Sequence, residues 1–228
     1  MRHLAIIPAR GGSKGFPKKN MRVLLDKPMI AYSIEAAQQS KCFDKVIVST
    51  ECDEIAKIAS AFKADVPFVR PKELATDTAK ILDVILHTLD FFESKNQFYD
   101  MVTLLQPTSP LRTAEDIRLA MQLLVEREAE SIVSVCSTDH SPLWTNVLPE
   151  DQNLEHFLDP KIMQKRRQEL PAYYRINGAI YMIKTSVLRK ARSFYTAQSY
   201  AYVMPRNRSI DVDEALDFYL CETLLMNR

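Results

Sequence analysis

Apolar residues recur along this chain with two alternating periods, one typical of strands and one typical of helices. Five short apolar runs have the length of buried strands: His3–Ile7, Lys45–Ser49, Pro67–Val69, Met101–Leu105 and Ile132–Cys136. Between them, apolar side chains three and four positions apart predict helices over Met29–Gln38, Ile55–Phe62, Ile81–Phe92 and Thr113–Leu124. Asp116, three residues after Thr113, suggests a capping box at the start of the last of these helices.

This alternation predicts an α/β fold in which a mainly parallel sheet is covered by helices on both faces. The unusual polar segments all follow predicted strands: "PARGGSKG", "STECD", "RPKELATD" and "QPTSPLR". Ligands of such sheets bind at the carboxyl ends of the strands. We therefore expect these four segments to converge on one cleft.

The rhythm breaks at about Ser137. Residues 137–172 are richer in polar residues and proline and contain the only tryptophan, Trp144. We interpret them as an inserted arm, expected at a dimer interface, within a single domain of residues 1–228. Four more elements are predicted after the arm: a strand over Tyr174–Ile183, a helix from Ser186, a strand near Tyr202–Met204 and a last helix from about Asp213.

The composition is that of an ordinary globular protein, with 46% hydrophobic and 26% charged residues. A net charge of +1 gives no reason to expect a nucleic acid or a membrane surface as partner. No apolar stretch approaches the length that crosses a bilayer. The four cysteines are scattered and form no CxxC pair, which favours reduced thiols and a cytoplasmic location.

Cations are concentrated in the segment "IIPARGGSKGFPKKN", which holds three of the four glycines and no acid. It matches neither the Walker A spacing nor the dinucleotide-binding fingerprint. It can still bind phosphate, because Gly11 and Gly12 allow backbone N–H groups to face an anion and Arg10 offers a bidentate fork. The alternative is a solvated basic turn.

A second segment, "SIDVDEALDF", places Asp211 and Asp213 two positions apart in extended chain, where side chains i and i+2 point the same way. Two carboxylates on one face can hold Mg²⁺ and bridge it to substrate phosphates. The alternative is that one of them caps the last helix. A cationic phosphate loop together with an acidic metal pair is the equipment of phosphoryl or nucleotidyl transfer.

Five segments occur in this order: "IIPARGGSKGFPKKN", "RPKELATDTA", "LLQPTSPLRT", "RQELPAYYRINGAIYMI" and "SIDVDEALDF". In this the chain resembles the acylneuraminate cytidylyltransferases, also called CMP-sialic acid synthetases. The resemblance implies a Rossmann-like, three-layer α/β/α nucleotidyltransferase fold. It also implies the reaction of CTP with an acidic nine-carbon keto sugar to give a CMP-sugar and pyrophosphate.

The resemblance further implies roles for individual residues. Arg10, Lys19 and Asp211 are the expected catalytic residues. Nucleotide binding is expected of Ala9, Arg10, Gly11, Gly12, Ser13, Lys19, Asn20 and Arg70. Sugar binding is expected of Gln106, Arg167, Arg175, Tyr181, Phe194 and Tyr195. Asp211 and Asp213 are expected to hold Mg²⁺, for which Mn²⁺ can substitute. A homodimer is also implied, in which Arg167, Phe194 and Tyr195 complete the site of the other subunit.

Several alternatives stay open at the level of sequence. Legionaminic and pseudaminic acid compete with N-acetylneuraminic acid as the sugar, whereas the eight-carbon acid Kdo is a weaker match. A GT-A-like glycosyltransferase and a non-catalytic phosphate-binding protein are more distant alternatives. The residues identify no single general base: Asp211 is one candidate, and His140 is better explained as a loop or interface residue.

Overall fold

The computed structural model describes residues 1–12 and 15–227, and its elements follow the predicted alternation. The strands are β1 His3–Pro8, β2 Val23–Leu24, β3 Lys27–Pro28, β4 Lys45–Ser49, β5 Met101–Leu104, β6 Ser131–Ser137, β7 Tyr174–Lys184 and β8 Ser199–Val203. The α-helices are α1 Met29–Ser40, α2 Asp53–Ala61, α3 Ile81–Glu93, α4 Ala114–Glu126, α5 Pro160–Met163, α6 Thr185–Ala191 and α7 Ala215–Met226.

Within the described residues, six strands form one sheet in the order β4-β1-β5-β7-β6-β8. Strands β1, β4 and β5 pair in parallel, as do β6 and β8, while β7 runs antiparallel between β5 and β6. The prediction of a mainly parallel sheet is therefore confirmed. Strands β2 and β3 form a separate two-stranded hairpin that the hydrophobic pattern did not predict.

The alternation of side chains along β1 shows why helices are needed on both faces of the sheet. Ala5 and Ile7 lie in one buried cluster with apolar residues of α1, α2 and α4. Leu4 and Ile6 lie in a second cluster with residues of α3 and α6. Burying both faces of a central parallel strand produces the three layers that the sequence predicted.

Two local predictions have different outcomes. The capping box is confirmed, because Thr113 Oγ1 accepts from Asp116 N–H at 3.2 Å and Asp116 Oδ2 accepts from Thr113 N–H at 2.9 Å. The strand predicted over Pro67–Val69 is wrong. Only a single parallel bridge, between Thr50 and Val69, forms there. This segment is only three residues long, and the prolines at its start and just after it lack the N–H groups that a strand ladder needs.

Residues 137–172 lack long elements and are mostly exposed. They contain short 3-10 helices at Pro142–Trp144 and Arg167–Glu169 and the one-turn helix α5. Large apolar side chains in this arm face outward: Val147, Leu148, Leu154 and Met163. In the described part of the chain, no helix is long and apolar enough to cross a membrane.

A buried histidine at the start of β1 makes the stability of the fold depend on pH. His3 is 2% exposed, its Nε2 hydrogen-bonds to Thr103 Oγ1 at 2.7 Å, and its ring lies against Phe43. Burial lowers the pKa of His3 from 6.5 to about 4. In the unfolded chain this histidine therefore becomes protonated below about pH 6.5. In the folded chain it becomes protonated only below about pH 4.

We predict that this histidine reduces the free energy of unfolding by about 2 kcal/mol between pH 7 and pH 5. Urea denaturation at the two pH values measures the loss in the wild type and in His3→Gln, in which the loss should shrink. His140→Gln, which changes an exposed histidine of the arm, is the control and should behave as the wild type. An equal loss of stability in His3→Gln and in the wild type would contradict the assignment.

Candidate functional site

A cleft of about 330 Å³ lies at the carboxyl edge of the sheet, where the sequence predicted that the polar segments meet. Three of those segments line it directly, and the acidic segment near the end of the chain closes it. The lining includes Arg10, Lys19, Asn20, Arg70, Asp77, Gln106, Thr108, Asp211 and Asp213. The cleft thus gathers cations, amides and carboxylates from positions about 200 residues apart in the sequence.

Two cations of the glycine-rich loop are each held by a carboxylate across the cleft. Arg10 Nη1 lies 2.6 Å from Asp77 Oδ1. Lys19 Nζ donates to Asp213 Oδ1 at 2.9 Å and to the Val212 carbonyl at 2.8 Å. These carboxylates occupy the positions around the cations where phosphate oxygens bind in an anion site. An incoming polyphosphate would compete with them for the same donors.

The backbone at the start of the loop bonds to a carboxylate of the protein, instead of facing open space for a ligand as expected. We expected the Gly11 N–H to face an anionic ligand, but it donates to Glu51 Oε1 at 2.7 Å. Arg70 donates to the other oxygen, Glu51 Oε2, at 2.7 Å and to the Ala9 carbonyl at 3.3 Å. Burial acts to raise the pKa of Glu51, but the hydrogen bonds from Gly11 and Arg70 outweigh it and hold that pKa below its usual value. A carboxylate of this protein therefore fastens the loop to the segment after β4.

Other residues of the loop keep space or bonding capacity for a ligand. A side chain added at Gly12 would meet no atom of the described residues within 4 Å, so they leave the loop open at that position. Ser13, also expected to bind nucleotide, lies outside the described residues. Asn20 is 5% exposed and donates from Nδ2 to the Arg10 carbonyl at 3.1 Å. Its Oδ1 is buried and has no hydrogen-bond partner among the described residues, a costly state unless a ligand supplies a donor.

The two aspartates near the carboxyl end line the cleft, and the helix-cap alternative is wrong. Helix α7 begins after Glu214, and the Asp217 carboxylate accepts from the N–H groups of Asp213 and Glu214, each at 3.0 Å. Asp211 is largely buried and its Oδ1 has no partner. Burial and the neighbouring Asp213 raise the pKa of Asp211, while Thr108, Lys19 and Arg175 act in the opposite direction.

Aromatic side chains stand near Asp211, although none of them lines the 330 Å³ cleft. Tyr181 of β7 packs on Phe194 with ring centroids 5.3 Å apart. Burial, followed by Tyr195 and Asp211, raises the pKa of Tyr181 to about 12, so its hydroxyl stays protonated. The resemblance assigned Phe194 and Tyr195 to the site of the other subunit, whereas here both lie beside Tyr181 of their own chain.

The two arginines expected on the sugar side occupy different surroundings. Arg175 donates to the Ser209 carbonyl at 3.1 Å, and its positive charge acts to lower the pKa of Asp211. Arg167 does not line the 330 Å³ cleft. It lies in a second cavity of about 440 Å³ at the base of the arm and donates to the Asp139 carbonyl at 2.9 Å. His140 is exposed in the same arm, in agreement with a loop residue.

Sequence reasoning missed three polar residues of the site and one anchor. Glu51, Asp77 and Thr108 stand in segments that were singled out, but no template pointed to them individually. Phe16 is buried against Phe218 of α7 at 5.4 Å and holds the middle of the phosphate loop on the last helix. The signal for Phe16 was present, since an isolated aromatic residue in a basic, glycine-rich loop requires an apolar partner.

Known proteins share this sequence and this fold. A sequence profile of the family described as cytidylyltransferase matches residues 4–225. A CMP-N,N'-diacetyllegionaminic acid synthase of Legionella pneumophila is 38% identical over 99% of this chain and 97% of its own length. An N-acylneuraminate cytidylyltransferase of Escherichia coli is 37% identical over 97% of this chain, which spans 51% of that relative. A pseudaminic acid cytidylyltransferase of Campylobacter jejuni is 32% identical over 98% of this chain and 96% of its own length.

Solved structures agree on the fold. A CMP:2-keto-3-deoxy-manno-octonic acid synthetase complexed with CTP superposes with a TM-score of 0.73 at 18% identity and covers 100% of this chain and 99% of its own. At this level of identity the likeness concerns the fold alone. Together with the sequence profile and the full-length relatives, it leads to one conclusion: the chain belongs to the cytidylyltransferase family and is a nucleotidyltransferase enzyme.

Proposed function

We propose that this enzyme transfers the cytidylyl group of CTP to an acidic nine-carbon keto sugar, N-acetylneuraminate or a close relative. The anomeric hydroxyl oxygen attacks the α-phosphorus, the bond from that phosphorus to the bridging oxygen breaks, and the hydroxyl proton and pyrophosphate leave. The observation that carries the proposal is the contact of Lys19 with Asp213, which joins a phosphate loop to an acidic pair in one cleft. The family membership removes the support for a glycosyltransferase or a scaffold protein.

The nucleotide half of the cleft contains the groups that a triphosphate needs. Arg10 and Lys19 supply positive charge to the phosphates, and the backbone at Gly12 is open to a close approach. These charges stabilise the transition state in which negative charge builds up on the transferred phosphate. The same two residues would be freed from their carboxylates when phosphate oxygens take over the contacts.

Asn20 and Arg70 are suited to recognise the base. Cytosine carries an amino group at C4, where uracil carries an oxygen. The buried Asn20 Oδ1 has no partner and can accept a hydrogen bond from that amino group. Arg70 Nε is also buried without a partner and can donate to an acceptor on the base. This pattern favours CTP over UTP, because uracil would leave the Asn20 acceptor unpaired.

We propose that Asp211 and Asp213 hold Mg²⁺, with Mn²⁺ as a substitute. The donor set fits a hard cation: both groups are carboxylates, and the Asp211 Oδ1 is buried without a partner. Among the described residues, no cluster of three or more His, Cys, Asp or Glu side chains could hold a metal, so phosphate oxygens and water would complete the ligand set. When bound, the ion would neutralise charge on the phosphates.

The sugar half is assigned to Gln106, Arg175, Tyr181, Phe194 and Tyr195. Arg175 lies beside the Asp211 segment, and its guanidinium suits the carboxylate of an acidic sugar. The aromatic wall formed by Tyr181 and Phe194 can pack against the apolar face or an acyl substituent of the sugar. Asp211 lines the cleft near the backbone of Gly178, which also contacts Gln106, and is a candidate acceptor for the hydroxyl proton.

We also propose a homodimer formed through the arm of residues 137–172, with the chain otherwise one domain. The outward-facing apolar side chains of the arm support it, since several large apolar residues exposed on one segment gain from burial against a partner. Arg167 lies outside the cleft of its own chain, which is consistent with a role in the partner's site. We further propose a cytoplasmic location, which the free thiols of Cys42, Cys52 and Cys136 support.

The first prediction concerns the reaction itself. Incubation with CTP, Mg²⁺ and N-acetylneuraminic, legionaminic or pseudaminic acid should release pyrophosphate and form a CMP-sugar with at least one of them. UTP should be a poor substitute for CTP, because the C4 oxygen of uracil cannot donate to Asn20 Oδ1 as the C4 amino group of cytosine can. Pyrophosphate release measured for each pair of substrates ranks the sugars, and its absence with every nine-carbon keto acid would overturn the proposed function.

The second prediction separates two adjacent lysines. Lys19→Ala should raise the KM for CTP by about tenfold or more, because a charged contact worth more than about 1.4 kcal/mol is lost. The KM for the sugar should change little. Lys18→Ala is the matched control, since Lys18 is exposed and contacts only Glu54, at 3.4 Å, among the ion pairs of the described residues. A defect of Lys19→Ala confined to the sugar would contradict the phosphate role.

The third prediction tests whether Arg167 acts across a dimer. Arg167→Ala should lower activity, while Lys165→Ala in the same exposed segment should not. A heterodimer of one Arg167→Ala chain and one Lys19→Ala chain, purified through two different tags, should recover about half of the wild-type activity, because one of its two sites is then intact. Activity no higher than that of either mutant homodimer would show that Arg167 serves its own chain.

A further inference from the structure

Strand β7 departs from its ladder with β6 directly beside the cleft. While β6 advances from Val133 to Val135, the paired positions on β7 run from Tyr181 to Ile176, so β7 carries extra residues in a bulge. Gly178 lies in this bulge with a φ of 75°, in the left-handed region that favours glycine. Bulges beside a site commonly redirect the chain toward a functional group.

The bulge is held by buried side chains that replace the missing ladder bonds. The Ala179 N–H donates to Asn177 Oδ1 at 3.2 Å, and the Ile180 N–H donates to Ser134 Oγ at 2.7 Å. The Ala179 carbonyl accepts from Arg112 Nη1 at 2.7 Å. Asn177 is 1% exposed, and Ser134 is fully buried. Leaving these backbone groups unpaired would be costly, so the side chains specify the shape of the bulge.

The bulge lies against two residues of the proposed active site. A Cβ placed on Gly178 would lie 2.6 Å from Gln106 Oε1 and 3.3 Å from Asp211 Oδ2. The side chains of Gln106 and Asp211 therefore both pack on the backbone of Gly178. A displacement of this backbone would move the sugar-side amide and the carboxylate together.

Asn177 connects the bulge to the segment that carries Asp211. Its Oδ1 also accepts from Ser134 Oγ at 2.6 Å, and its Nδ2 donates to Ser209 Oγ at 2.9 Å. Ser209 is fully buried, two positions before Asp211, and its hydroxyl donates onward to the Pro205 carbonyl at 2.8 Å. One buried amide thus links β6, β7 and the acidic segment.

We propose that Asn177 is a positioning residue of the enzyme: its buried amide fixes the β7 bulge and, through Gly178 and Ser209, sets the relative placement of Gln106 and Asp211. Asn177 does not reach the cleft, because its side chain is enclosed by Ser134, Met204 and Ser209. It acts only through the residues that it holds. The consequence for turnover rests on the proposed function, whereas the hydrogen-bond network does not.

The test removes one link at a time and separates turnover from nucleotide binding. Ser209→Ala deletes the link from Asn177 to the acidic segment and leaves the bonds within the bulge. Asn177→Asp keeps the Oδ1 acceptor and removes the donor to Ser209. Both variants should lower kcat by about tenfold, because a small misplacement of reacting groups is sufficient for such a loss. The KM for CTP should change less than about twofold, because Arg10 and Asn20 lie outside the network.

Controls separate a positioning role from a loss of folding. Ser40→Ala is the matched control: Ser40 is also buried and donates to the Ala37 carbonyl at 2.6 Å, but it lies at the end of α1 outside the cleft. It should lose as much thermal stability as Ser209→Ala and keep the wild-type kcat. An unchanged kcat in Ser209→Ala, or an equal loss of kcat in Ser40→Ala, overturns the proposal. A wild-type enzyme that is inactive with every sugar overturns the proposed function itself, and the positioning role with it.

Discussion

The contact between Lys19 and Asp213 is the interaction on which the organisation of the site depends. It joins residues separated by 194 positions, one in the loop after the first strand and the other just before the last helix. Under the proposed function the site must hold both a polyphosphate and a hard cation, which requires groups of both signs within a few ångströms. Such groups attract one another, so the cations are held by the carboxylates Asp77 and Asp213 until phosphate competes for them. The exposure of Asp213, 79% for its side chain, keeps this pairing weak enough to exchange.

The sheet explains why these distant segments meet. Strands β1, β4 and β5 are parallel neighbours, so the loops that follow them leave from the same edge. Strand β7 runs in the opposite direction between β5 and β6 and brings its interior, rather than a loop, beside the cleft. A backbone at this place can approach other side chains only where it has no side chain of its own, which Gly178 provides. The parallel half of the sheet thus presents the residues proposed to bind the nucleotide, and the antiparallel strand lies beside those proposed to bind the sugar.

The features that could be predicted are those that depend on the local pattern of apolar and polar residues along the sequence. Periodicity located the helices and the central strands, and the order of polar segments after strands predicted the cleft. The failures have physical causes. Pro67–Val69 has strand-like residues but proline removes donors from the ladder. The contacts of Gly11 with Glu51 and of Arg10 with Asp77 join residues 40 or more positions apart, and a sequence pattern does not specify which carboxylate meets which donor. The bulge at Gly178 was equally hidden, because "NG" in a sequence indicates a turn as readily as a bulge.

The buried contact of Arg70 with Glu51 holds the start of the glycine-rich loop in place. Arg70 is 4% exposed and its Nη2 already donates to Glu51 and to the Ala9 carbonyl, so it supports the loop whether or not a base is bound. Removing one partner of a buried ion pair leaves the other charge uncompensated, at a cost of about 3–5 kcal/mol. Loss of nucleotide binding after a change at Arg70 would therefore not distinguish contact with the base from collapse of the Gly11 backbone. Asn20 is different, because its Oδ1 bonds to none of the residues that the structure describes and only its Nδ2 supports the loop. Under the proposed function, selectivity for cytosine would therefore rest on the side-chain carbonyl of Asn20, and Arg70 would hold the loop that presents it.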